Sequence, residues 1–261
     1  MRTTLKQLAA ALLLLLAPPA TALETAEEIR ACVRGNLPER TSVQKIELSA
    51  IDRSGGRRNL RAKLHWKRYG EGLHRIRLYV EQPNDLRGSS YLVIEKDGED
   101  EMFMYLPATQ RVRRVTTSMI SDSLWGTDFS YEDIKQMQGI ALEGATRRLE
   151  DATVAERPVY VLALSPAANA ESTYSKIVSF VDRDTCVAIK TEFYGSGETP
   201  RKILTADPAQ LVREGDRWTA HDLQMRDLQG STTSRLRVIE AASDVEVHDR
   251  TFNPSLLGRG R

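Results

Sequence analysis

With only two cysteines and four histidines among its 261 residues, the chain has little material for metal or thiol chemistry. No GxSxG elbow, Walker-type phosphate loop, GxGxxG turn or HExxH pair occurs, which removes the commonest signatures of hydrolases, nucleotide enzymes and zinc proteases. His65, His74, His221 and His248 fall in separate segments. His221 and Asp222 are neighbours on an expected strand, so their side chains point to opposite faces. Neither cysteine belongs to a CxxC pair or lies near a histidine in sequence, which argues against a nucleophile. Nor is there an excess of charge of one sign: 37 basic residues balance 36 acidic ones. A nucleic-acid binder selects a basic face and an electrostatic membrane binder a basic cluster, and neither bias is present. No Pro/Ser/Gly-rich linker divides the chain. The reading nominates no catalytic residue, no metal and no cofactor.

What is present starts with a leader. Arg2 and Lys6 precede an apolar run from Leu8 to Ala17, and Ala20, Thr21 and Ala22 are small residues suited to cleavage. This is the pattern of a secretory signal peptide over residues 1–22, cut after Ala22. The apolar run is about half of the roughly 18 to 20 residues a membrane span requires. The expectation is a soluble, exported protein, with residues 23–261 forming one domain.

Beyond the leader, Glu24 to Asn36 has the spacing of a helix, with acidic residues first and Ile29, Cys32 and Val33 on one side. The period then changes to two. Ile46, Leu48 and Ala50 alternate with charged or polar neighbours, as do Leu60, Leu64 and Trp66, and then Ile76, Leu78 and Val80. Each segment has one apolar and one polar face, as antiparallel strands covered on one side do. Tyr91 to Ile94 and Met102 to Leu106 are apolar on both faces and should be central. The second half repeats the pattern, from Thr146 to Glu240, with Trp218 to Met225 read as one strand. Short strands joined by tight turns predict a mainly β protein built on one large antiparallel sheet, either a barrel or an open curved sheet.

The interruption is Thr116 to Gly139, where Ser130 to Asp133 resembles a helix cap followed by Ile134 and Met137. This segment is either a lid or a static connection. Asp128, Glu132 and Asp133 read most simply as helix N-terminal charge. Arg111, Arg113 and Arg114 form a basic cluster next to it, read as a solvated face, a lipid headgroup contact or a partner for the lid acids. Cys32 and Cys186 are an even pair in an exported chain, which permits a disulfide; two isolated thiols are the other reading. A bridge closing so long a loop would contribute on the order of 4 to 5 kcal/mol.

The alternation assigns one apolar face to Leu48, Leu60, Leu64, Trp66, Ile76, Leu78, Leu92, Ile94, Met102, Met104 and Leu106, with Phe129 and Ile134 added by the lid. Either the N-terminal helix and lid fill this face and make it the ordinary core, or they leave a cavity for acyl chains, which makes these the candidate lipid-binding residues. Each buried methylene of an acyl chain contributes roughly 0.8 kcal/mol. A carrier must therefore match its cargo only in part, or it never releases it.

The stretches PNDLRG at Pro83 to Gly88, YLP at Tyr105 to Pro107, RVRRV at Arg111 to Val115 and GTDFSYED at Gly126 to Asp133 resemble the LolA-like periplasmic lipoprotein-sorting proteins, in their larger branch. The resemblance extends from the helix at Ala26 to Asn36 through Phe252 to Pro254. It implies an open half-barrel of about 11 to 12 antiparallel strands with the N-terminal helix and a short lid helix over the concave face. It also implies a monomeric periplasmic carrier of lipoprotein acyl chains or another lipid. An RND-type inner-membrane transporter would be the donor and an outer-membrane protein the acceptor. A regulator of the RseB type, which senses lipid and binds a membrane protein, is the alternative from a second class. A periplasmic hydrolase with an acid pair formed only in three dimensions is a third.

Overall fold

The computed structural model describes residues 23–140 and 142–258. The expected signal peptide lies outside the described residues. Among those residues, no helix is long and apolar enough to cross a membrane.

The chain enters through helix α1 (Ala26–Gly35), set by a capping box in which Thr25 and Glu28 satisfy each other's backbone N–H groups. Six strands follow: β1 (Thr41–Ile51), β2 (Arg57–Arg68), β3 (His74–Gln82), β4 (Ser90–Ile94), β5 (Glu101–Leu106) and β6 (Arg111–Arg114). Helix α2 (Tyr131–Met137) interrupts them, opened by a second capping box between Ser130 and Asp133. Then come β7 (Gly144–Val154), β8 (Arg157–Pro166), β9 (Lys176–Asp182), β10 (Ala188–Tyr194) and β11 (Pro200–Ala206). A short ribbon of β12 (Leu211–Glu214) and β13 (Arg217–Ala220) precedes β14 (Asp222–Asp227) and β15 (Thr232–Ser243).

Thirteen strands make one antiparallel sheet in the order β6-β5-β4-β3-β2-β1-β15-β14-β11-β10-β9-β8-β7, and β12 and β13 pair only with each other. The sheet is not closed, because β6 and β7 are both edges. The open antiparallel half-barrel expected above is the observed architecture, with the ribbon as an addition. The segment Trp218 to Met225, read as one strand, divides at His221 into β13 and β14. Because β1 pairs with β15, the ends of the domain meet at the centre of the sheet.

Both faces of the first half are covered. On the concave side α2 and the preceding loop bury Leu48, Leu60, Leu64, Trp66, Ile76, Leu78, Tyr91, Val93 and Met102. On the convex side the C-terminal turns place Val247, Phe252 and Leu257 over Leu92 and Ile94. This corrects the assignment of Leu92 and Ile94 to the concave face; Tyr91 and Val93 hold that side. In a strand apolar on both faces, nothing in the sequence distinguishes one register from its one-residue slip.

Candidate functional site

The segment read as either a lid or a static connection is a plug. Tyr131, Glu132, Asp133, Ile134 and Lys135 are all buried, and polar bonds fix them from several sides. Lys202 Nζ donates to Asp133 Oδ2 at 2.9 Å and to the Asp128 carbonyl at 2.8 Å. Tyr174 donates its hydroxyl to Asp133 Oδ1 at 2.6 Å. The neighbouring carboxylate raises the tyrosine pKa, after burial as the larger cause. Glu132 accepts from the Thr173 amide at 3.1 Å and its hydroxyl at 2.9 Å, and from Ser172. Burial nonetheless pushes its carboxyl above the ordinary range, and adjacent Asp133 adds to the effect. Lys135 pairs with Asp100, both buried. The helix ends at Met137, and Gly139 just beyond it has a φ of +86°, which favours glycine, and lies against the Leu37 side chain.

The acids singled out in the sequence therefore have internal partners, and none is Arg111, Arg113 or Arg114. Those three lie exposed on edge strand β6, where Arg114 approaches Glu99 at 3.6 Å. The lid contact offered as one reading of this cluster is not made. The lid acids and the arginines are close in sequence, but α2 folds inward over the sheet while β6 ends its edge.

Of the thirteen nominated residues, Leu48, Leu60, Ile76, Leu78, Met102, Phe129 and Ile134 are sealed under or within the plug, and Met104 and Leu106 pack at its margin. Leu64 and Trp66 reach open space on the concave face. That space is a cavity of about 350 Å³ on the same concave face, beyond the plug toward the second half of the sheet. Its floor is Ile46, Leu64 and Trp66 continued by Ile177, Phe193, Leu204, Leu223, Leu236 and Val238. Its roof comes from Val33 and Leu37 after α1, Met137 of α2 and Trp218 of the ribbon. The floor residues of the second half show the same period-two alternation as the first, so the signal existed. The ribbon had none, since Leu211 to Ala220 mixes charged and apolar residues without a clear period.

The roof is tied at a few points. Ile29 of α1 sits against Tyr160, Leu162 and Val181 on the concave side of β8 and β9. Cys32 and Cys186 are joined by a disulfide, their Cα atoms 5.6 Å apart, which locks α1 to the turn between β9 and β10. Asn36 then bridges to the ribbon: its side-chain N–H donates to the Thr185 carbonyl at 2.8 Å, and its oxygen accepts from the Trp218 amide at 2.8 Å. At the mouth, Arg217 makes one long contact to the Leu37 carbonyl at 3.5 Å. Among the described residues, no group of three or more His, Cys, Asp or Glu side chains is arranged to hold a metal.

The fold of this chain is shared with solved structures. A Vibrio parahaemolyticus domain provisionally described as an outer membrane lipoprotein-sorting protein is 23% identical with a TM-score of 0.80, covering 89% of this chain and 97% of its own. A DUF1329 family protein from Desulfovibrio piger is 22% identical with a TM-score of 0.81, over 88% and 96%. A LolA superfamily protein from Nitrosomonas europaea is 16% identical with a TM-score of 0.70, over 88% and 98%. A comparison with curated proteins gave no match. The class is thus the LolA-like fold. Within it, a family model described as "Uncharacterized protein" matches residues 72–259, and the chain belongs to that family.

Proposed function

We propose that the protein is a periplasmic carrier that shelters a lipid acyl chain, either of a lipoprotein or of another lipid, between membranes. The observation that carries this reading is the cavity: mainly apolar, with Ser42, Gln44, Ser179 and Thr191 among its lining residues, on the concave face, and roofed in part by the short ribbon. Its volume falls at the lower end of the roughly 300 to 1,000 Å³ common for small-ligand sites. The leader over residues 1–22 supports export, and the likeness to a lipoprotein-sorting domain supports the class of cargo. A membrane transporter as donor, of the RND type, and an outer-membrane acceptor complete the reading.

Energetics favour a direct hand-over. A buried chain gains roughly 0.8 kcal/mol per methylene, so release into water is slow and an acceptor must offer an equal environment. The test is native mass spectrometry of the protein purified from a periplasmic extract, with lipid extraction of any adduct. A co-purifying lipid or acylated peptide is the expected result. An unliganded mass, with no uptake of added lipid or lipopeptide, overturns the carrier and leaves a protein-binding regulator.

A further inference from the structure

The cavity's size and its mouth narrow the cargo. At about 350 Å³ the cavity lies near the small end of the roughly 300 to 1,000 Å³ common for sites that take one small ligand. One acyl chain is a ligand of that class, whereas the several chains of a triacylated lipopeptide need a multiple of the space. The plug prevents extension under β2 to β5, because the side chains there are closely packed and its polar bonds are satisfied.

The mouth has one under-used charge. Glu214 and Arg217 face each other across the ribbon and both line the cavity. Glu214 is engaged by the Ser243 hydroxyl at 3.4 Å and lies 3.6 Å from His221 Nε2. The Arg217 guanidinium has only the 3.5 Å contact to a carbonyl, and no carboxylate within ion-pair distance among the described residues. A guanidinium offers five donors in a planar fork suited to carboxylate or phosphate. The other polar side chains lining the cavity, among them Asn36, Gln44, Gln136 and Gln138, are uncharged.

We propose that the cargo is a single-chain amphiphile with an anionic headgroup, its tail in the cavity and its carboxylate or phosphate at Arg217. This inference rests on the carrier reading and adds the class of ligand. It is tested by displacement of a neutral fluorescent probe, 1-aminoanthracene, by laurate, dodecyl phosphate, dodecanol and a tripalmitoyl lipopeptide. Laurate or dodecyl phosphate should displace the probe at one ligand per protein, and the tighter of the two identifies the headgroup. Dodecanol should be weaker by about tenfold, the loss expected for one charge-assisted contact. Arg217→Gln should remove that difference by weakening laurate and dodecyl phosphate about tenfold, with a urea midpoint near that of the unaltered protein showing that the variant is folded. Equal binding of dodecanol and the anions by the unaltered protein overturns the inference, as does a preference that survives Arg217→Gln or tighter binding of the lipopeptide than of laurate. In each of those cases the carrier reading stands. If the chain takes up neither the probe nor any amphiphile, the carrier reading itself fails and the inference with it.

Discussion

Under α2 the concave face of β2 to β5 is closed by side chains that are almost wholly buried, and the helix is held by Lys202, Tyr174, Thr173 and Asp100. Under the ribbon the same face continues across β1, β15, β14 and β11, yet Leu236, Leu204 and Val238 look into empty space. The strands of the two regions follow one alternating pattern. What differs is the roof. A helix with an apolar side and several buried polar anchors fills the first region, whereas a two-stranded ribbon tied by Asn36, a long arginine contact and the Ser243 hydroxyl on Glu214 only spans the second. An apolar sheet face therefore becomes core or cavity according to the element laid over it.

The comparison breaks most strongly at the plug's buried ion pair. Lys202→Met leaves Asp133 buried without its cation, and removing one partner of such a pair costs about 3 to 5 kcal/mol. Urea unfolding should show this loss, and a shift below 1 kcal/mol would mean that water already reaches the pair. Next comes the disulfide, which spans 154 residues and fixes the cavity's helical wall. Cys32→Ser together with Cys186→Ser should lower stability by about 2 to 5 kcal/mol and weaken ligand uptake. Unaltered uptake would show that Asn36 alone positions the wall.

A paired substitution separates the two regions directly. Leu78→Ala, in the sealed region, should cost about 2 to 5 kcal/mol and leave uptake intact. Val238→Phe, into the cavity, should abolish uptake and change stability by only about 0.5 to 2 kcal/mol, in the stabilising direction. The reverse pattern in probe displacement and unfolding would exchange the roles assigned to core and cavity.

Much of the sheet could be read directly because period-two alternation is a strong signal wherever one face is wet: Leu60, Leu64 and Trp66 against Arg61, Lys63 and His65 admit one register. The signal disappears at β4, where Leu92 and Ile94 are as apolar as Tyr91 and Val93, because the C-terminal turns cover the second face. No local pattern announces a cover that comes from residues 249 to 257. The cavity was hidden for a related reason. A residue over a void and a residue in a packed core obey the same alternation, so Leu64 and Leu78 look alike in sequence and only the roof distinguishes them. The plug helix was legible from its capping residues; its buried partners Lys202 and Tyr174, far along the chain, were not.

The smallest expected effect concerns pH and belongs to the plug. Burial holds the Glu132 carboxyl above its ordinary value of 4.5, against the opposing hydrogen bonds from Ser172 and Thr173. In the interval between that ordinary value and the raised one, the folded state keeps a proton that the unfolded chain has lost. The folded state thus binds more protons there, and this group's contribution to stability falls as pH rises through the interval, then levels off above it. Glu132→Gln removes the titration while keeping a side-chain oxygen to accept from Thr173. Urea midpoints of the two proteins, compared from about pH 4 to 8, should diverge in the variant's favour as pH increases. A constant difference would mean that Glu132 titrates normally and that its hydrogen bonds offset its burial. A divergence in the opposite direction would mean that those bonds outweigh burial and hold the ionised carboxylate, making Glu132 a charged anchor of the plug at neutral pH. Leu64, Leu236 and Val238 on the cavity floor carry no charge and contribute no such dependence.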